Sequence, residues 1–169
     1  FGSGAMTNTI ADFEKADVIL VTGSNTTENH PVLSSYIKRA VKFNDTRLIV
    51  VDPRRIQIAD HAYKHLIPNL GTDIVWINGL LHVIIKENLQ DTSFIEERTE
   101  NFDAMAKAVT KFTPDYVEGI TGIKAEDIID VARIYARAKS GSIAYCMGIT
   151  QHTTGTNAVK SLANLAMLC

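Results

Sequence analysis

A chain of 169 residues, 46% hydrophobic and 21% charged, can bury one full core and is expected to form a single domain over residues 1–169. Its formal net charge of −2 argues against nucleic acid as a partner, because phosphate contacts demand a basic surface. The longest mostly apolar stretch, Ile74 to Ile85, is too short to span a bilayer and is interrupted by Asn78 and His82, so direct membrane insertion is not expected.

Met6 to Lys15 has helical spacing, with Thr7 or Asn8 as its cap. Ala16 to Thr22 and Arg47 to Val51 are continuous runs of aliphatic and β-branched residues, the pattern of strands buried on both faces of a parallel sheet. Between them, Pro31 stands at a first helical position, and Val32, Ile37, Ala40 and Val41 form the stripe of a crossover helix, completing a right-handed βαβ unit. Ile56 to Asp60 predicts a short helix and His65 to Pro68 a third strand. Thr72 then caps a helix whose one apolar face carries Ile74, Ile77, Leu81, Ile84 and Ile85. Short helices follow at Phe94–Arg98, Phe102–Lys111 and Pro114–Glu118, then an amphipathic helix over Lys124–Ala138. Ser142 to Met147 predicts a fourth buried strand, and Thr156 to Leu168 a closing helix. The expected architecture is α/β: a Rossmann-like three-layer domain with a mostly parallel sheet and helices on both faces.

Such sheets bind ligands beyond the carboxyl ends of their strands, so the residues after each strand are the candidates. The dinucleotide fingerprint Gly-x-Gly-x-x-Gly is absent, since Gly23 alone follows the first strand. Gly23 lets backbone N–H groups approach a pyrophosphate, and Asn25 offers an amide donor and acceptor or serves as a turn residue. Asp52 stands where dinucleotide folds place an acid against a ribose hydroxyl, with Arg54 or Arg55 for phosphate. The alternative is a surface turn at Asp52-Pro53 with solvated arginines. Asp73 can accept from the paired donors of a guanine edge or can serve the helix macrodipole. Gly148 allows close backbone approach, Gln151 can hydrogen-bond the polar groups of a ligand such as a phosphate, and Met147 fits a ligand contact or the core. The histidines His30, His61, His65, His82 and His152 have no metal spacing, and His30 is assigned to shaping the turn before Pro31. Cys146 and Cys169 fit neither a metal site nor a disulfide framework and read as reduced, buried apolar residues.

Four motifs occur in order: Val-x-Gly-x-Asn-x-x-x-x-His-Pro at Val21–Pro31, Val-Asp-Pro-Arg at Val51–Arg54, Leu-Gly-Thr-Asp at Leu70–Asp73, and Met-Gly-x-Thr-Gln at Met147–Gln151. Together with the Gly2–Asn8 opening and Ser161–Leu168, they resemble the catalytic subunit of molybdopterin oxidoreductases, and among these the formate dehydrogenase alpha subunit, over essentially the whole chain. The resemblance implies a domain that grips part of a bis-molybdopterin guanine dinucleotide cofactor carrying molybdenum or tungsten. It implies cofactor contacts at Gly23, Asn25, Glu28, Asn29, Val51, Asp52, Pro53, Arg54, Leu70, Gly71, Asp73, Met147, Gly148 and Gln151. A glutamate beside phosphate is unfavourable, so Glu28 would have to meet sugar or base.

The chain opens at Phe1 without methionine and stops at Cys169 inside an apolar helical pattern, which predicts a domain cut from a longer catalytic subunit. The family's four-cysteine 4Fe–4S segment, its selenocysteine or cysteine metal ligand and the histidine beside it have no counterpart in this sequence, so no catalytic or metal-ligating residue is assigned to it. The implied partners are the remaining domains of the same subunit and an electron-transfer subunit. With no signal peptide in this sequence, a cytoplasmic location is expected. The parent reaction implied is formate oxidation to carbon dioxide. A related nitrate reductase or formylmethanofuran dehydrogenase subunit, and a free-standing nucleotide-binding module, are the alternatives.

Overall fold

The computed structural model describes residues 5–169, so Gly2, Ser3 and Gly4 of the opening motif lie outside the described residues. Four strands, β1 (Val18–Thr22), β2 (Arg47–Val51), β3 (Lys64–Leu66) and β4 (Gly141–Tyr145), form one parallel sheet in the order β3-β2-β1-β4. In register, Thr22 stands beside both Val51 and Tyr145, and Val51 stands beside Leu66. All four strands therefore end level, and the loops that follow them leave from a single rim.

The helices are α1 (Thr26–Asn29), α2 (Pro31–Phe43), α3 (Asp73–Lys86), α4 (Thr92–Arg98), α5 (Phe102–Val109), α6 (Pro114–Thr121), α7 (Ala125–Ala136), α8 (Met147–Thr150) and α9 (Gly155–Leu168), with 3-10 helices at Ile10–Lys15 and Gln57–His61. Alternation along the strands divides the core in two. Val18, Leu20, Ile49 and Val51 pack with α3, α7 and α9, whereas Ile19, Val21, Leu48 and Val50 pack with Phe13, Ile37, Ala40 and Ile58. Two apolar faces need two helical layers, and the three-layer expectation follows from that. No helix among the described residues is long and apolar enough to cross a membrane.

Several elements differ from the sequence reading. The first helix begins at Ile10, because the Asp12 carboxylate accepts from the Thr9 N–H (2.9 Å) and hydroxyl (2.8 Å), which makes Thr9 rather than Thr7 or Asn8 the capping residue. The helix α3 is buried around most of its circumference, from Trp76 through Ile84 except Asn78, because α5, α6, α7 and α9 all pack on it. The strand β4 ends at Tyr145 and is mostly half-buried or exposed, since among the described residues it pairs with β1 alone, and Met147 starts α8 instead of closing the strand. The short helix α1 falls where a loop was expected.

At the far edge, Lys64 of β3 binds Asp127 (2.7 Å) and Asp130 (2.8 Å) of α7. Burial works to lower the Lys64 pKa, and the two aspartates outweigh it and raise the value. Lys64→Met is expected to cost about 1 kcal/mol, since all three side chains are partly solvated. Because the folded value is raised, this contribution is complete below the ordinary lysine value and is lost as pH rises through the elevated one. Urea midpoints of both proteins should thus converge at strongly alkaline pH, and a gap that persists there would assign the loss to packing.

Candidate functional site at the carboxyl rim of the sheet

The four loops at the level strand ends enclose a cleft of about 320 Å³ lined by Gly23, Asn25, Asn29, Val51, Asp52, Pro53, Arg54, Leu70, Gly71, Asp73, Met147 and Gly148 among others. Its volume lies at the lower end of the range for small-molecule sites. Of the residues proposed from sequence, Glu28 and Gln151 are absent from the lining. Glu28 is exposed on α1, and the exposed Gln151 directs its Nε2 to Met147 Sδ at 3.4 Å.

Each wall has a local cause. After β1 the chain turns through Gly23 at φ +56, a conformation that a side chain resists. The space a Cβ would take there is filled by protein: it would lie 2.7 Å from the Gly148 carbonyl carbon, and a Cβ on Gly148 would lie 2.6 Å from Gly23 Cα. The Gly148 N–H donates to Gly23 O at 3.0 Å. The two glycines thus serve each other first, sealing the β1 and β4 loops together at the floor of the cleft. Asn25 follows at the start of α1 without making a cap, and its Oδ1 is buried with no partner. An unpartnered buried acceptor costs free energy and calls for a donor from a ligand or from a turned amide.

After β2, Asp52 is buried and its Oδ1 accepts the Arg54 N–H at 2.8 Å, while Arg54 Nε lies 3.9 Å away. His65 Nε2 bonds the Asp52 carbonyl at 3.0 Å, fixing the start of this loop to β3. The turn is thus anchored by one buried carboxylate, while Pro53, Arg54 and Arg55 are exposed, as the surface-turn alternative has them. Arg55 instead pairs with Asp60 at 3.1 Å and does not line the cleft.

At α3, Thr72 holds the N-cap position, but its hydroxyl donates to Asn69 O at 2.7 Å and makes no cap bond. Asp73 enters the first turn with its carboxylate partly buried, and His152 Nε2 stands 4.0 Å from Oδ2. Leu70 and Met147, 81% and 59% exposed, give the cleft an apolar lip, which sets aside the core reading of Met147.

Sequence reasoning missed Ser24, Pro68, Asn69, Cys146 and His152, all of which line the cleft. Cys146 is half-buried, with Sγ 3.8 Å from His30 Nε2, and Cys169 is exposed, so neither is the buried apolar residue expected. Adjacency to the Leu-Gly-Thr-Asp motif was a usable signal for Asn69. His152, directly after the Met147–Gln151 motif, carried the same signal.

A parallel sheet with level strand ends and polar loops gathered over them defines an α/β domain of the kind that binds its ligand at the carboxyl rim. The chain belongs to the molybdopterin oxidoreductase family: the family model described as Molybdopterin oxidoreductase matches residues 2–169. The F420-dependent formate dehydrogenase subunit alpha of Methanocaldococcus jannaschii is 50% identical over 170 residues, covering 99% of this chain and 25% of that protein. Formate dehydrogenase H of Escherichia coli is 42% identical over 167 residues, covering 99% of this chain and 23% of that protein. Among solved structures, acetylene hydratase from Pelobacter acetylenicus has a TM-score of 0.86 at 28% identity, covering 90% of this chain and 21% of that one. The chain spans about a quarter of the length of the curated relatives it matches. Family membership implies a molybdopterin cofactor with molybdenum or tungsten.

Proposed function

We propose that this chain is the domain of a molybdenum- or tungsten-dependent formate dehydrogenase catalytic subunit that holds a guanine dinucleotide arm of a bis-molybdopterin guanine dinucleotide cofactor. The observation that carries the reading is the convergence of four separate motifs on one cleft. The residues present fit such a group. Asn25 brings an unpartnered buried amide oxygen, Asp52 a buried carboxylate at the position for a ribose diol, and Asp73 a carboxylate suited to a guanine edge. Arg54 supplies positive charge for phosphate, and Leu70 with Met147 supplies apolar surface for a ring face.

The bound metal–dithiolene group would supply the two-electron chemistry of formate oxidation, while this chain binds, orients and shields one arm of it. The substrate assignment rests on the formate dehydrogenase relatives, because an acetylene hydratase shares the fold. The subunit designation of the F420-dependent relative supports a further electron-transfer subunit as partner, and the remaining domains of the same subunit would complete the cofactor site. A 4Fe–4S cluster would lie elsewhere in the parent, since this sequence holds two cysteines.

The reading is tested on the purified full-length subunit: formate-dependent reduction of an artificial acceptor, with guanine nucleotide and molybdenum or tungsten released on denaturation. Release of no guanine nucleotide would remove the dinucleotide assignment. Turnover of another substrate without formate oxidation would favour the related reductases. The 169-residue chain alone is expected to show no formate oxidation. Metal-dependent turnover by the isolated chain would contradict the view that the reacting centre needs the rest of the subunit.

A further inference from the structure

The loop between α8 and α9 places a histidine where two acceptors meet. His152 Nε2 lies 2.8 Å from the Gly148 carbonyl oxygen and 4.0 Å from Asp73 Oδ2, and the ring lines the cleft. We propose that His152 is a positioning residue of this cleft, which sets the Asp73 carboxylate for its ligand and couples it to the paired glycine loops. The proposal rests on the reading above that Asp73 faces the guanine base.

A carbonyl oxygen can only accept, so the short contact makes Nε2 the protonated nitrogen of the ring. That N–H is donated to the carbonyl, and its positive end stands 4.0 Å from the carboxylate, near enough to attract it without a hydrogen bond. The link continues, because the Gly148 N–H donates to Gly23 O at 3.0 Å. Two hydrogen bonds thus link Gly23, Gly148 and His152 through the loops after β1 and β4, and a 4.0 Å electrostatic approach carries the link to Asp73 at the start of α3. Asp73 has no capping partner to fix it, since the Thr72 hydroxyl is committed to Asn69. The other charged groups lining the cleft, Asp52 and Arg54, belong to the loop after β2, and among the described residues His152 is the charged or titratable side chain found beside Asp73.

The test uses the cofactor-free full-length subunit, with GDP and ADP as probes. His152→Ala is expected to weaken GDP roughly tenfold with little change for ADP, and His152→Gln, which keeps an N–H donor, to recover most of the loss. In an Asp73→Ala background, His152→Ala should cause no further loss, because the effect passes through Asp73. Equal weakening of GDP and ADP in both backgrounds would mark His152 as a merely structural residue and overturn the proposal. So would an unchanged GDP preference in His152→Ala. If wild type shows no preference for GDP, the guanine reading fails instead, and the 15N spectrum of His152 decides the positioning role separately. An Nε2–H tautomer whose signals move in Asp73→Asn retains His152 as the partner of Asp73. An Nδ1–H tautomer, or signals that do not move, removes it.

Discussion

Gly23→Ala is expected to be more damaging than the same change at either of the other cleft glycines, Gly71 and Gly148. Two effects add at this position. The residue sits at φ +56, and a side chain held in that region costs about 1 kcal/mol. The new Cβ would also lie 2.7 Å from the carbonyl carbon of Gly148 and from the Ile149 nitrogen. These are backbone atoms in a turn tied by its own hydrogen bonds, so no flexible side chain can yield, and overpacking adds roughly 1–3 kcal/mol. Two control substitutions separate the effects. Gly71 has φ +77 with nothing within 4 Å of a built Cβ, so Gly71→Ala should carry the conformational cost alone. Gly148→Ala meets Gly23 Cα at 2.6 Å without a left-handed backbone, so it should carry the contact cost alone. Denaturant midpoints should therefore rank Gly23→Ala below Gly148→Ala and Gly71→Ala. If Gly23→Ala and Gly71→Ala prove equal, the loops are free to separate and the sealed floor of the cleft is an incorrect description.

This pairing also shows where sequence reasoning stopped. The strands β1 and β2 were legible because burial on both faces demands continuous aliphatic runs, and Val18–Thr22 and Arg47–Val51 supply them. The extent of β4 was not, because Ser142–Met147 carries no alternation and its last two residues turn away from the sheet. The helix α1 escaped notice because its four residues, Thr26–Asn29, are polar and too few to show a period. In the site, residues adjoining a strand end or a motif could be read locally. Gly23 and Gly148 were each read as letting backbone approach a ligand, and the close packing of their two loops on one another is a further demand, set by the β1–β4 register and invisible in either loop alone. His152 adjoins the Met147–Gln151 motif and was open to the local reading, but its approach to Asp73 is tertiary.

If the chain holds a guanine dinucleotide as proposed, Asp73→Ala is expected to remove a preference for GDP over ADP. The carboxylate opens α3 at the rim of the cleft, partly buried, and its described ionic neighbour is His152 at 4.0 Å, so its oxygens are not consumed by a structural ion pair. Guanine presents two adjacent N–H donors to a carboxylate, and adenine cannot offer that pair. Loss of a charged acceptor from two such bonds should cost roughly 1.5–3 kcal/mol, equivalent to about 10- to 100-fold in GDP affinity, with ADP little affected. A second role must be separated from this one. A carboxylate in the first turn of α3 also interacts favourably with the helix dipole, and its removal should lower stability by roughly 0.3–1 kcal/mol whether or not a nucleotide binds there. Titration of the folded domain with GDP and ADP, beside denaturation of the same proteins, resolves the two. Lost guanine preference with a small stability change places Asp73 at the base. Equal nucleotide affinities in wild type, unchanged by Asp73→Ala while stability falls, would assign Asp73 to the helix terminus and leave recognition of the base to the other residues of the rim.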